Sequence, residues 1–276
     1  MREEVEISFA SRAKQPGRPN EDYVLAAPDL VVLLDGSGVP PGAETGCRHG
    51  VPWFVRTLGS RMVDAAGEPG SSLAGALKQA IEKTALAHAD TCDPSHPVSP
   101  SSTVVAVRRN GEDLEWLVLG DSFLVLRGSA QNDVITDQRL KQGAVKQRTA
   151  LRRADGQDSK LWSALVTEER RLRNHPDGYW IAAGEPEAAD HALTGHVPLA
   201  DLTHALLFSD GGARPVEPFR AVTWDECFHD LTQNGPAAWL RRVREIENSD
   251  PDRTRWPRSK RHDDATAVLI SLEDVE

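Results

Sequence analysis

The chain has 276 residues, 39% of them hydrophobic, which is enough to fill the core of one large α/β or sandwich domain or of two small ones. Its formal net charge of −10 argues against nucleic acid as the main partner, because binding a phosphate backbone depends on a basic surface. No segment approaches the roughly 20 apolar residues of a membrane span, and the N-terminus has no apolar signal region. We therefore expect a soluble, cytoplasmic protein with no membrane and no nucleic-acid partner.

The cysteines favour neither a disulfide framework nor a structural zinc site. Cys47, Cys92 and Cys227 form no CxxC pair, and their number is odd. None is followed six positions later by arginine, so the pattern of thiol phosphatases is missing as well. We expect reduced cysteines that serve mostly as packing residues.

Apolar and alternating runs predict short strands along the whole chain, with helical patterns between them. The predicted strands are 5–9, 23–26, 30–34, 102–108, 114–119, 123–127, 203–208 and 266–271. The predicted helices are 49–66, 72–89, 158–173, 223–233 and 236–247, with Ser72 as a cap and Thr223 and Glu226 as a capping box. Turn signals at 110–111 and 120–122 predict an antiparallel meander in the centre.

This grouping predicts an α+β fold in which two antiparallel sheets pack face to face with helices outside, rather than a parallel doubly wound core. The charged segment from about 142 to 187 is interpreted as a flap or insertion that carries recognition. Since no repeat or low-complexity linker is present, a single domain over 1–276 is expected.

Several strand-like apolar runs adjoin aspartates. Asp22 precedes one run, Asp35 and Asp210 each end one and are followed by glycine, and Asp263 with Asp264 precedes the last. An Asp-Gly pair after a strand is a common turn signal, and a single instance favours a turn over a ligand. Ionised oxygens are costly to desolvate, however, so several that converge in one fold are most simply explained by a hard divalent cation such as Mg²⁺ or Mn²⁺. Together they predict metal-assisted phosphate chemistry.

These segments, in this order and spacing, resemble the metal-dependent Ser/Thr protein phosphatases of the PP2C class, over roughly residues 5 to 271. The matching segments are Asn20-Glu21-Asp22, Asp35-Gly36-Ser37-Gly38, Gly120-Asp121-Ser122, Ser209-Asp210-Gly211 and Asp263-Asp264-Ala265-Thr266. Each segment alone is weak evidence for the resemblance, and Gly120-Asp121-Ser122 fits a hairpin turn equally well. The resemblance implies a four-layer α-β-β-α sandwich, in agreement with the fold predicted above.

The resemblance also implies site residues. Asp35 would bridge two metal ions, Gly36 would offer its carbonyl, and Asp210 and Asp263 would be ligands of the second ion. The remaining implied ligands, direct or through water, are Glu21 and Asp22, and Asp264 would take the place of an asparagine of the family. The implied cofactors are two Mn²⁺ or Mg²⁺ ions.

The chain departs from the family pattern at three places. Ser37-Gly38-Val39 offers no histidine as a general acid after the Asp-Gly pair. Gly17 stands where the phosphate-binding arginine is expected, and Arg18 follows one residue later. Arg214 replaces an acidic ligand of an additional metal, so we expect two ions rather than three, with Arg214 facing the site to bind phosphate or to pair with Asp121.

The leading hypothesis is a metal-dependent hydrolase of phosphoric monoesters, with phosphoserine or phosphothreonine of a protein as substrate and Arg18, Asp35 and Arg214 as catalytic residues. The alternative is a PP2C-like module with weak or no turnover that binds a phosphorylated partner. Phosphatases that form an aspartyl phosphate are disfavoured, because they need a second aspartate where Ser37 stands.

Overall fold

The structure is a computed structural model, and it describes residues 5–37, 44–128, 132–144, 146–147, 149–150, 159–258 and 260–272. Part of the predicted insertion, residues 145, 148 and 151–158, lies outside the described residues. Within the described part, no helix has both the length and the apolar character needed to cross a membrane.

The described residues form ten strands and six α-helices, with two short 3₁₀ helices at Pro186–His191 and Leu199–Asp201. The strands are β1 (Glu6–Arg12), β2 (Asp22–Ala27), β3 (Leu30–Gly36), β4 (Ser102–Asn110), β5 (Asp113–Leu119), β6 (Phe123–Gly128), β7 (Asn132–Ile135), β8 (Leu193–Pro198), β9 (Leu202–Phe208) and β10 (Ala265–Ser271). The helices are α1 (Val51–Ala66), α2 (Leu73–Leu86), α3 (Arg139–Gln142), α4 (Ser159–Arg171), α5 (Asp210–Ala213) and α6 (Trp224–Asn248).

The strands form two five-stranded antiparallel sheets. Sheet 1 has the order β1-β10-β9-β6-β7, and sheet 2 has the order β2-β3-β4-β5-β8. The chain therefore passes from one sheet to the other between β1 and β2, β5 and β6, β7 and β8, and β8 and β9.

Alternating side chains give the fold four layers, because successive residues of a strand point to opposite faces. In β3, Val32 and Leu34 pack against α1 and α2, whereas Val31 and Leu33 pack against sheet 1. In β9, Leu206 and its neighbours on the same face pack against α6. The α-β-β-α sandwich predicted from the sequence is confirmed.

Helix boundaries follow local capping chemistry. The Ser72 hydroxyl accepts a hydrogen bond from the Gly75 amide at the start of α2, and Thr223 and Glu226 form the predicted capping box of α6. Gly235 has a φ of 78°, so α6 is kinked where the sequence predicted that one helix ends and another begins.

The predicted central meander is wrong in part. β4 and β5 form a hairpin, but β6 pairs with β7 and β9 in the other sheet. Residues 120–122 are therefore a crossover between sheets and not a hairpin turn. The sequence also missed β7 and β8, each of which is one of the two edge strands of its sheet. β7 has only four residues and β8 contains glycine and proline, so neither shows the apolar run of a central strand.

Candidate metal centre

The predicted carboxylates meet at one end of the interface between the two sheets. Asp22 and Asp35 stand directly opposite each other in the β2–β3 pairing. Asp35 has the same strand parity as Val31 and Leu33, which face sheet 1. Asp210 directly follows Ser209 after β9, and Asp263 precedes β10, so sheet 1 presents its own carboxylates to the same place.

Two hydrogen bonds cross between the sheets at this point. The Asp210 amide donates to Asp35 Oδ2 at 3.1 Å, and the Thr266 hydroxyl donates to Asp22 Oδ2 at 2.6 Å. Carboxylates of sheet 2 are thus held by a donor of β10 in sheet 1 and by a donor at the start of α5, which follows β9 of sheet 1. The centre exists only where the two sheets pack together.

Four carboxylates form no ion pair with any described residue, namely Asp22, Asp35, Asp121 and Asp210. Burial, followed by repulsion from neighbouring carboxylates, raises the pKa of Asp22 and of Asp121 to about 7. The same causes raise the pKa of Asp35 well above its ordinary value and raise the pKa of Asp210. Asp22 is only 5% exposed, and its Oδ1 is buried without a hydrogen-bond partner.

Three further carboxylates already have counter-charges. The Lys14 ammonium contacts Glu21 and lies 3.0 Å from Asp264 Oδ2, and the pKa of Lys14 is raised because these contacts outweigh burial. Lys260 and Arg214 lie 3.1 Å from oxygens of Asp263. Burial acts to raise the pKa of Asp263, but the two cations outweigh it and hold this pKa below its ordinary value.

Arg214 differs from its prediction in one respect, since it pairs with Asp263 and Glu247 and not with Asp121. Arg214 is 8% exposed, and its guanidinium donates at 2.6 Å to Glu247, a fully buried residue that also pairs with Arg244. Arg244 in turn donates to the Asp263 backbone oxygen at 2.6 Å. This network fixes the segment before β10.

Two glycines allow close approach of the backbone. A Cβ at position 36 would lie 2.4 Å from the Glu21 carbonyl oxygen, and one at position 211 would lie 1.9 Å from the Asp264 carbonyl oxygen. No side chain fits at either place. The Asp-Gly pairs are therefore contact points between the motifs and not hairpin turns.

The family assignment follows from a comparison of sequences. Residues 11–243 match the family model described as protein phosphatase 2C. The chain belongs to the protein phosphatase 2C family. None of the curated proteins gives a significant match.

Solved structures of this family share the fold at low sequence identity. The PstP/Ppp phosphatase of Mycobacterium tuberculosis is 19% identical, with a TM-score of 0.59 over 98% of this chain and 99% of that one. A PstP catalytic domain in complex with two manganese ions is 18% identical, with a TM-score of 0.58 over 97% of both chains. PppA of Pseudomonas aeruginosa is 17% identical, with a TM-score of 0.58 over 97% of both chains.

The residues at the centre fit the hard cations of protein phosphatase 2C enzymes. Oxygen ligands suit Mn²⁺ and Mg²⁺, and the buried, unpartnered Oδ1 of Asp22 is the kind of atom that a cation stabilises. Burial, followed by repulsion from neighbouring carboxylates, raises the pKa values of four of these carboxylates, and a bound cation would favour their ionised forms.

The structure places Arg18 at the surface and Asp121 near the carboxylates. Arg18 is exposed, and its guanidinium forms no ion pair with the residues that the structure describes. Asp121 interacts electrostatically with Asp35 and with Glu169 of α4, which lies in the predicted insertion. Part of that segment therefore lies near the carboxylates.

Sequence reasoning missed Lys14 and the orienting role of Thr266. Lys14 stands seven residues before Glu21, and its contact with Asp264 joins residues 250 positions apart, which no local pattern reveals. It also missed a second group, because the search for CxxC pairs did not consider histidine partners. The structure brings Cys47 and Cys92 together with two histidines.

Proposed function

We propose that this chain is a metal-dependent hydrolase of phosphoric monoesters that dephosphorylates phosphoserine or phosphothreonine of proteins with two Mn²⁺ or Mg²⁺ ions. Family membership supports the reaction class, and the PstP catalytic domain, which shares the fold, holds two manganese ions.

The buried Oδ1 of Asp22 is the observation that carries this proposal. It has no partner and stands opposite Asp35, whose own pKa is raised by burial and by the Asp22 charge. Such a group is stabilised either by a proton or by a cation. At neutral pH a divalent cation satisfies Asp22, Asp35 and Asp210 together.

In this proposal Asp35, Asp210, Asp263 and the Gly36 carbonyl hold the ions, and Asp22 and Glu21 assist directly or through water. When bound, two such ions activate a water molecule for attack on phosphorus and neutralise phosphate charge. The Asp210 amide orients the Asp35 carboxylate.

Two arginines have different proposed roles. Arg18 is exposed beside the motif that contains Glu21, and we assign it to the phosphate oxygens of the substrate. The Arg214 guanidinium already forms ion pairs with Asp263 and Glu247. Its proposed role is therefore to position Asp263, and phosphate binding by Arg214 stays a prediction.

The test is hydrolysis of p-nitrophenyl phosphate and of phosphoserine and phosphothreonine peptides, with and without added Mn²⁺. We expect activity only with metal, and loss of activity in Asp35→Asn and Asp210→Asn. The matched control is Asp64→Asn, which removes an exposed aspartate of α1 outside the centre. Activity that either site variant retains at the wild-type level contradicts the proposal.

The ion pairs at the centre favour one second candidate, a module that binds phosphorylated partners with little turnover. Lys14 already neutralises Glu21 and Asp264, and Lys260 with Arg214 neutralises Asp263. Three of the carboxylates thus need no metal. Phosphopeptide binding without metal-dependent turnover in the same assays would support this candidate over the hydrolase.

A further inference from the structure

A second cluster of potential metal ligands lies outside the carboxylate centre. It consists of Cys47, His49, His88 and Cys92, whose ligand atoms all lie within 4.8 Å of one another. His88 is buried, and the other three are partly buried. We call this group the Cys2His2 cluster.

The distances within the Cys2His2 cluster match a tetrahedral zinc site. Bonds of about 2.3 Å from zinc to sulfur and about 2.05 Å to nitrogen, at the tetrahedral angle, place sulfur and nitrogen about 3.6 Å apart. The Cys47 sulfur lies 3.6 Å from His88 Nδ1 and 3.9 Å from His49 Nδ1. The Cys92 sulfur lies 3.3 Å from His49 Nδ1.

Two segments that are distant in sequence supply the ligands. Cys47 and His49 come directly before α1, and His88 and Cys92 follow α2. Their Cys-x-His and His-x₃-Cys spacings give two ligands from each segment, as in structural zinc sites.

Neighbouring residues hold the two segments together without using the ligand atoms. The Asp93 amide donates to the Gly46 carbonyl at 2.8 Å, which joins the segments directly. The Thr45 hydroxyl bonds to the Cys47 backbone, and the His49 ring stacks on Trp53 of α1 at 4.4 Å between ring centroids. The ligands are thus preorganised by the backbone and by packing.

We infer that the Cys2His2 cluster binds one structural zinc ion. Two thiolates and two imidazoles are the ligand set that selects zinc over the hard cations suited to the carboxylate centre. Four protein ligands leave no open coordination position, so the ion does no chemistry on a substrate. The inference does not rest on the proposed function, because it uses none of the same residues.

The position of the cluster gives the ion a mechanical role. Cys47 and His49 belong to the connection that leads from Asp35 and Gly36 at the end of β3 to α1. A zinc ion ties the far end of this connection to the end of α2. It thereby stabilises the packing of α1 and α2 on sheet 2.

The experiment measures zinc in the full chain, purified without a histidine tag and reconstituted with one equivalent of Zn²⁺ in excess Mg²⁺, which competes for the carboxylate centre. We expect about one zinc per chain by elemental analysis, and loss of that zinc in Cys47→Ser and in Cys92→Ser. The matched control is Cys227→Ala, which changes a buried cysteine of α6 in another part of the core, and it should keep the zinc. Co²⁺ in place of zinc should give a thiolate-to-cobalt charge-transfer band, which a carboxylate site lacks.

A measurement on the wild-type chain covers the case in which the serine variants fail to fold. Zinc should protect Cys47 and Cys92 from alkylation, as mapped by peptide mass spectrometry, and a chelator should remove the protection. Absence of zinc after reconstitution, a disulfide between Cys47 and Cys92 in the native protein, or zinc that both serine variants retain would each overturn the inference.

Discussion

Asp22→Asn tests the interpretation of the carboxylate centre in the metal-free protein. The pKa of Asp22 is raised by burial to about 7, against an ordinary value of 3.8. At about 1.36 kcal/mol per pKa unit, ionised Asp22 destabilises the metal-free fold at pH 8 by about 4 kcal/mol. This is an upper limit, because neighbouring carboxylates share the repulsion. Asparagine has nearly the same shape, keeps an acceptor for the Thr266 hydroxyl and carries no charge.

We therefore expect the metal-free variant to be more stable than the wild type at pH 8, with a melting temperature higher by up to about 8 °C for a chain of this size. The raised pKa of Asp22 determines how the stability of the metal-free wild type changes with pH. The unfolded chain releases the Asp22 proton near pH 4 and the fold keeps it until about pH 7, so the stability of the wild type falls as pH rises through this window. The difference in stability between Asp22→Asn and the wild type should therefore be less than half as large at pH 5 as at pH 8.

The assay is thermal unfolding by circular dichroism at pH 8 and pH 5, without divalent cations and with Mn²⁺. Chelator treatment also strips zinc, so both proteins receive the same treatment and only their difference is interpreted. Mn²⁺ should stabilise the wild type more than Asp22→Asn. A variant that is less stable than the wild type at pH 8 without metal would refute the reasoning, because Asp22 would then have satisfactory partners in the protein alone.

Two further variants test the surroundings of the centre. Lys14→Met removes the cation between Glu21 and Asp264, so the half-saturating Mn²⁺ concentration for hydrolysis should fall in a metal titration, and a rise would contradict the electrostatic argument. Gly211→Ala places a Cβ 1.9 Å from the Asp264 carbonyl oxygen, so activity and melting temperature should both drop. Gly67→Ala, where the nearest heavy atom is 3.5 Å away, should behave as the wild type, and equal behaviour of the two alanine variants would show that the close approach is unimportant.

The sequence predicted the central strands and the sandwich because buried strands require apolar runs that are visible without a structure. It did not predict the pairing of β6. A turn signal such as Gly120-Asp121-Ser122 reports that the chain changes direction, but the choice between a hairpin and a crossover depends on which partner strand is available. The edge strands β7 and β8 were missed for lack of apolar alternation.

The sequence motifs were enough to predict that the candidate ligands lie close together. The structure places Asp22, Asp35 and Asp210 together as expected. The charges around them were not predictable. Glu247 lies on the buried face of α6, and only the packing of that helix brings it to Arg214. Long-range ion pairs of this kind leave no signal in spacing or composition.

The hydrogen bonds between the sheets have a consequence for folding kinetics. The contact between Thr266 and Asp22 spans 244 positions, and the contact between Asp210 and Asp35 spans 175. Contacts with such separations close large loops and form late, after each sheet has gained its local pairings. A cation whose ligands come from both sheets has no complete binding site early in folding, before the sheets have packed together. Divalent metal should therefore slow unfolding of this protein far more than it speeds folding.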